Sequence, residues 1–122
     1  MIHDKPHKRL LAWQKSMELV VLIYNLTKRF PKDETYGLSS QIRRAAVSVP
    51  SNISEEAAGR SVEQFKNFLG IAIGSLNEVS TQIEIAHRIG YLDDSSYTKT
   101  ERLLDECMGL TYGLKKKLSS EQ

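Results

Sequence analysis

Residues 41–59, QIRRAAVSVPSNISEEAAG, constrain this chain more than any other stretch. They read as one helix with Pro50 in its middle. At about 100° per residue, Leu38, Ile42, Ala45, Val49 and Ile53 make an apolar stripe. Beside it, Gln41, Arg44, Ser48, Asn52 and Glu55 fall within about 80° of one another. A merely solvated helix has no need to hold amide, guanidinium, hydroxyl and carboxylate groups in register along its core face. Pro50 removes the bond that its N–H would give to the Ala46 carbonyl, so a kink is expected there, with Ser48, Ser51 and Asn52 placed to satisfy the freed groups.

Three further helical segments surround this one. Over residues 10–30, one row steps through Leu10, Trp13, Met17, Val20, Tyr24 and Thr27, and a second through Leu19, Leu22, Ile23, Leu26 and Phe30. Two rows exceed what one bundle core needs, so the second is extra core or faces another subunit. Pro31 stops this helix, and the next runs over about 36–58 to a stop at Gly59. Ser61 and Gln64 form a capping box for a helix over 61–89. Val62, Phe65, Leu69, Ala72, Leu76, Val79, Ile83 and His87 make its main arc. Ile71, Ser75, Glu78, Gln82, Ile85 and Ile89 make a second, mixed face. Gly74 lies mid-helix, where it costs about 1 kcal/mol relative to alanine, and a close helix–helix approach would account for it. Gly90 ends the helix. Asp93 or Asp94 caps a fourth helix over 94–118, striped by Tyr97, Leu104, Cys107, Thr111, Leu114 and Leu118. Its Gly109 and Gly113 mark another close approach or a weak spot, and Lys115, Lys116 and Lys117 suit its C-terminal dipole. Nothing reads as a strand. The pattern predicts an all-α, antiparallel up-down-up-down four-helix bundle with helix two kinked at Pro50. A flexible leader (1–9) and a short tail (119–122) flank it.

Composition narrows the class. With 122 residues, 40% hydrophobic and 26% charged, the chain matches one soluble domain. No apolar run approaches a membrane span, and the opening MIHDKPHKRL lacks the apolar core of a signal peptide. A single cysteine, Cys107, gives no disulfide framework, which makes a reducing cytoplasm the expected compartment. The net charge of +2 is uneven, because residues 1–30 hold six cations against Asp4 and Glu18. A basic opening helix suits an acidic partner such as nucleic acid.

Catalytic patterns are thin. A di-iron bundle needs two Glu-x-x-His motifs and two more glutamates facing inward. This chain has one such motif, Glu84 with His87, and the two sit about 60° apart. His3 and His7 fall in the leader, and Cys107 lies on an apolar stripe where packing is its expected role. No phosphate-binding glycine loop is present. No metal, cofactor or catalytic residue is assigned, and a non-enzymatic role is expected.

The stretches SSQIRRAAVSVPSNISEEAAGRS and QFKNFLGIAIGSLNEVSTQIEIAHRIGYLD, with the opening LLAWQKSMELVVLIYNLTKRFPKDETYGL, resemble the four helix bundle protein family, the 23S ribosomal RNA intervening-sequence proteins. The resemblance spans about residues 10–118. One departure stands out: the family reads Asn-Ile-Ala-Glu-Gly, whereas this chain has Asn52, Ile53, Ser54, Glu55 and Glu56, so helix two is expected to run about a turn longer. The resemblance implies a small bacterial cytoplasmic protein, some relatives being encoded within insertions in 23S rRNA genes. The family is similar in fold to the accessory variability determinant of diversity-generating retroelements, a basic pentameric ring that binds nucleic acid. That similarity implies a homopentamer here.

Two roles compete for the polar stripe. In one, Arg43 or Arg44 joins Ser48, Asn52, Glu55 and Glu78 in a buried network that fixes helix register or subunit geometry. In the other, the arginines face phosphates. The glutamate companions favour the first, and Glu78→Ala is then expected to lower stability or break the oligomer. Phosphate contacts fall instead to Lys8, Arg9, Lys15, Lys28, Arg29 and Arg60. The leading function is an oligomeric nucleic-acid-binding protein without catalysis, pentameric as the resemblance implies. A protein-interaction scaffold is the alternative, and a metal-dependent enzyme comes third.

Overall fold

The computed structural model describes His7 and residues 10–120. Helix α1 spans Leu11–Thr27, α2 Leu38–Ile53, α3 Val62–Arg88 and α4 Asp94–Ser120. Short 3-10 turns at Lys32–Glu34 and Ser54–Ala58 flank α2. Each helix packs on its neighbours in a square, α1 on α2, α2 on α3, α3 on α4 and α4 back on α1. Short connections make consecutive helices antiparallel, giving the up-down-up-down bundle expected from periodicity.

The ends of the helices have local causes. Beyond Thr27, Arg29 N–H bonds to the Leu26 carbonyl and Phe30 N–H to the Thr27 carbonyl. These tighter bonds satisfy terminal carbonyls before Pro31 ends the ladder. Helix α2 passes through Pro50 and changes to 3-10 geometry at Ser54, with the turn closing at Gly59 in the left-handed region (φ +70°). The Ser51 hydroxyl donates to the Val47 carbonyl (2.8 Å) and the Asn52 amide to the Ser48 carbonyl (2.7 Å). These acceptors lie one and two residues past the Ala46 carbonyl that the proline frees. The extra turn expected from Glu56 is therefore a 3-10 turn, not α-helix.

The capping box forms as spelled: Gln64 N–H donates to Ser61 Oγ (3.2 Å) and Ser61 N–H to Gln64 Oε1 (3.0 Å). At α4 the cap is Asp93, whose Oδ1 accepts the Ser96 N–H at 2.7 Å. That backbone bond holds the Asp93 carboxyl below its ordinary range, with the Arg29 charge a smaller contributor.

The core is built from Leu19 and Ile23 of α1, Ile42, Ala46, Val49 and Ile53 of α2, Leu69, Ala72, Leu76, Val79 and Ile83 of α3, and Leu104 and Cys107 of α4. In α1 the second row of the sequence pattern is thus the core row. The first row, with Met17 and Tyr24 exposed, turns toward the α1–α2 groove. Thr100 and Thr111 are fully buried in α4, and their hydroxyls donate to the carbonyls of Ser96 and Cys107. Local back-bonding of this kind lets a hydroxyl enter a core without an orphaned donor. Gly74, Gly109 and Gly113 do not mark close approaches. They face solvent, and a Cβ added to any of them would meet no atom within 4 Å. His7 does not dangle in a leader either: it is buried, with its ring edge-on to Trp13 at 5.3 Å.

One tie between the two turns at the same end of the bundle has no sequence signature. Glu34 Oε2 accepts the Tyr91 hydroxyl at 2.8 Å, and its Oε1 accepts the Leu38 N–H that opens α2. Gly37 leaves room for this carboxylate, since a Cβ there would lie 2.7 Å from Oε1. The bond to Glu34 raises the Tyr91 phenol above its ordinary value, because ionisation would put a phenolate beside a carboxylate. The stabilisation is whole below the ordinary tyrosine value of about 10 and fades as pH climbs through the raised one. Glu34→Ala is expected to lower the melting temperature by a few degrees and to return Tyr91 toward ordinary tyrosine titration. Ultraviolet titration of the variant against the parent checks this.

Candidate nucleic-acid interface

The polar stripe of α2 divides into two groups. Ser48 and Asn52 turn toward α3, where Asn52 Nδ2 donates to Ser48 Oγ (3.0 Å) and Ser75 Oγ donates to Ser48 Oγ (2.8 Å). This is a small hydroxyl–amide chain across the α2–α3 seam. Glu55 is not in it. Its carboxylate takes two bonds from Arg60, at 2.9 and 3.1 Å, and the Arg60 guanidinium also lies 4.9 Å from the Phe68 ring centre. Glu78 is exposed on α3 and Arg44 is exposed on α2, so neither joins a buried network in this chain. An exposed carboxylate keeps its hydration, so truncating Glu78 removes no buried partner.

Arg43 belongs to the second group. Its Nε–H donates to Thr27 Oγ1 at 2.7 Å, and the Thr27 hydroxyl passes its own proton to the Ile23 carbonyl, also at 2.7 Å. The guanidinium lies 4.8 Å from the centre of the Tyr24 ring. The side chain is thus held across the α1–α2 seam by one nitrogen and one face. Beside it an open cleft of about 390 Å³ is lined by Tyr24, Thr35, Tyr36, Ser40, Arg43, Arg44 and Val47. No carboxylate is among these residues. Tyr36 is 96% exposed, and Tyr24 is partly exposed. Two guanidinium groups with two aromatic rings, free of negative charge, can hold phosphates and stack on bases.

At Val47 this cleft meets a second, apolar one between the same helices. His7, Trp13, Met17, Val20, Val47, Pro50, Ser51 and Ser54 line it. The larger cleft, between α1 and α4, has about 660 Å³ and mixed charge, with Glu18, Asp94 and Glu106 facing Lys99 and Arg102. Its carboxylates oppose anion binding.

The cations singled out from sequence fare unequally. Lys8 and Arg9 lie outside the described residues. Lys15 pairs with Glu18 (3.3 Å) and lies 3.8 Å from Glu106, contacts that raise its pKa. Arg60 is committed to Glu55. Lys28 and Arg29 are exposed at the end of α1, and Arg29 shares a small cleft with Lys99. Sequence reasoning missed Tyr36 and read Tyr24 as one of an apolar row. The available signal was the spacing of Ser40, Arg43 and Arg44, which places a hydroxyl and two cations on adjoining parts of one helix surface, with Tyr36 in the turn just before α2.

Among the described residues no cluster of three or more His, Cys, Asp or Glu is placed to hold a metal ion. Glu84 pairs with Arg88, whereas His87 Nε2 lies 2.7 Å from Asp94 and its ring stacks on Tyr97 at 4.2 Å. Burial pushes the Cys107 thiol up to about 12, far from a reactive thiolate.

Comparison with known proteins agrees with the architecture. A crystal structure of a protein of unknown function from the S23 ribosomal protein family of Bacteroides thetaiotaomicron VPI-5482 superposes with a TM-score of 0.80 at 29% identity. The alignment covers 87% of this chain and 96% of that one. No curated protein matches the chain. The family model for the 23S rRNA-intervening sequence protein matches residues 8–113, which takes in all of α1, α2 and α3 and most of α4. With the proline-bearing α2, the capped α3 and the four-helix order inside that match, the chain belongs to the 23S rRNA-intervening sequence protein family.

Proposed function

We propose that this protein is a non-enzymatic, oligomeric nucleic-acid-binding protein whose contact surface is the α1–α2 cleft. The observation that carries this reading is the cleft itself: Arg43 and Arg44 beside Tyr24 and Tyr36, with no carboxylate among the described lining residues. Arg43 is pre-set by Thr27 and Tyr24, so little side-chain freedom is lost when a phosphate arrives. Lys28 and Arg29, exposed at the end of α1, add to the positive field. The family's name, which refers to 23S rRNA, favours RNA as the ligand.

Assembly belongs to the same proposal. The outer face of α3 exposes Ile71 and Ile85, with Ile89 just past its end, each about half in water, around the exposed Glu78. Such a face suits contact with another copy, and the similarity to a pentameric ring makes five copies the leading number. A ring would repeat a small cationic cleft and raise affinity by avidity. The same isoleucines also favour the alternative, a scaffold for another protein. No described helix is long and apolar enough to cross a membrane, and a single buried thiol suits the reducing cytoplasm in which we place the protein.

Light scattering on nuclease-treated protein, with and without a structured RNA of mixed sequence, tests this reading. The expected result is a mass near five chains that rises with RNA at low salt and falls back at moderate salt. A monomer indifferent to RNA would overturn it and leave the scaffold.

A further inference from the structure

We infer that the α1–α2 cleft takes an unpaired strand in preference to a duplex, with Tyr36 as a stacking platform for an exposed base. The inference rests on the nucleic-acid reading and narrows its ligand class. Tyr36 is 96% exposed, so its ring lies almost wholly in water at the rim of the cleft. An aromatic face gains by stacking on a base, and only an unpaired base offers its face to a protein ring. In a duplex the bases stack on each other and present phosphates and edges instead.

The rest of the surface follows the same division. Among the described residues lining the two joined clefts, Arg43 and Arg44 are the only lysines or arginines. Past Val47 the groove continues with Trp13, Met17, Val20 and Pro50. That stretch suits base faces, and none of its described lining residues is a lysine or arginine that would hold a second phosphate ridge. From Ser40 to Ser54 the α2 face rises about 21 Å, room for several nucleotides of one strand. At the far end Ser51 and Ser54 add hydroxyls to the same lining. The arrangement is cationic where a backbone enters and apolar, with a few polar atoms, where bases would lie.

Fluorescence anisotropy with a short unstructured RNA oligonucleotide, and with the same sequence annealed to its complement, tests this. The parent is expected to bind the single strand about tenfold or more tighter at equal salt. Tyr36→Ala is expected to lower single-strand affinity about tenfold and leave duplex affinity unchanged. Because Tyr36 is so exposed, the variant should keep the parent's circular dichroism and melting temperature. Equal or tighter binding of the duplex would overturn the inference while leaving nucleic-acid binding intact. So would single-strand binding that ignores Tyr36→Ala. A fall in oligomer mass on Tyr36→Ala, with strand affinity unchanged, would assign the cleft to a second copy and overturn it. Binding of neither probe would overturn the underlying reading as well.

Discussion

Leu76→Ala is expected to destabilise the bundle by about 3 kcal/mol, within the range measured for buried leucines. Leu76 is fully buried on the inner row of α3, the helix that packs on both α2 and α4. Its removal takes away apolar burial and leaves a cavity that rigid neighbours fill only in part. For a domain with typical stability of about 5–15 kcal/mol, that is a large fraction. Urea unfolding at several protein concentrations measures it, since assembly makes apparent stability concentration-dependent. Val62→Ala is the control: Val62 is 41% exposed on the same helix, outside the isoleucine face proposed for assembly, and is expected to change stability by about 0.5 kcal/mol or less. Equal losses for the two would mean that the inner row of α3 has been misassigned.

The second large effect concerns the arginines. Arg44→Ala is expected to weaken RNA binding about tenfold with unchanged stability, because Arg44 is exposed and a charged hydrogen bond contributes about 1.5–3 kcal/mol. Arg43→Ala is expected to weaken binding similarly and also to loosen the α1–α2 seam, since it removes the bond to Thr27 and the stack on Tyr24. The Thr27 hydroxyl keeps its bond to Ile23, so no buried donor is orphaned and the stability loss stays near 1 kcal/mol. The double variant is expected to lose about a hundredfold, if the two side chains engage separate phosphate oxygens. Lysine at position 44 would restore charge without the planar fork and recover part of the affinity. Filter binding at fixed salt measures all four proteins.

Much of this architecture is legible in the sequence because helix periodicity is strong. The rows of α1 and α3, the Ser61–Gln64 box and the stops at Gly59 and Gly90 are local features with local causes. What periodicity cannot show is which neighbour covers a face. On α3, Ser75 and Gln82 are buried while Ile71, Glu78, Ile85 and Ile89 on the same mixed face stand exposed. A rotation of about 40° separates Ile71 from Ser75, and only the position of α2 decides between them. Glu78 thereby misses the seam that Ser75 reaches. Gly74 reads as a contact for want of the same information. Arg43 and Arg44 are adjacent and indistinguishable by composition, yet 100° of helical turn sends one to Thr27 and leaves the other in water. The tie from Glu34 to Tyr91 spans two loops, and no periodic signal joins positions so far apart in the chain.

The central claim is that Arg43 and Arg44 meet phosphates in the α1–α2 cleft. The most direct measurement is the dependence of RNA affinity on salt for the parent and for Arg44→Ala. Each phosphate neutralised on a single strand contributes about −0.7 to the slope of log K against log salt. The account predicts a clearly negative slope for the parent and one shallower by about that amount for the variant. Identical slopes for the two proteins, or a parent affinity that ignores salt, would contradict it.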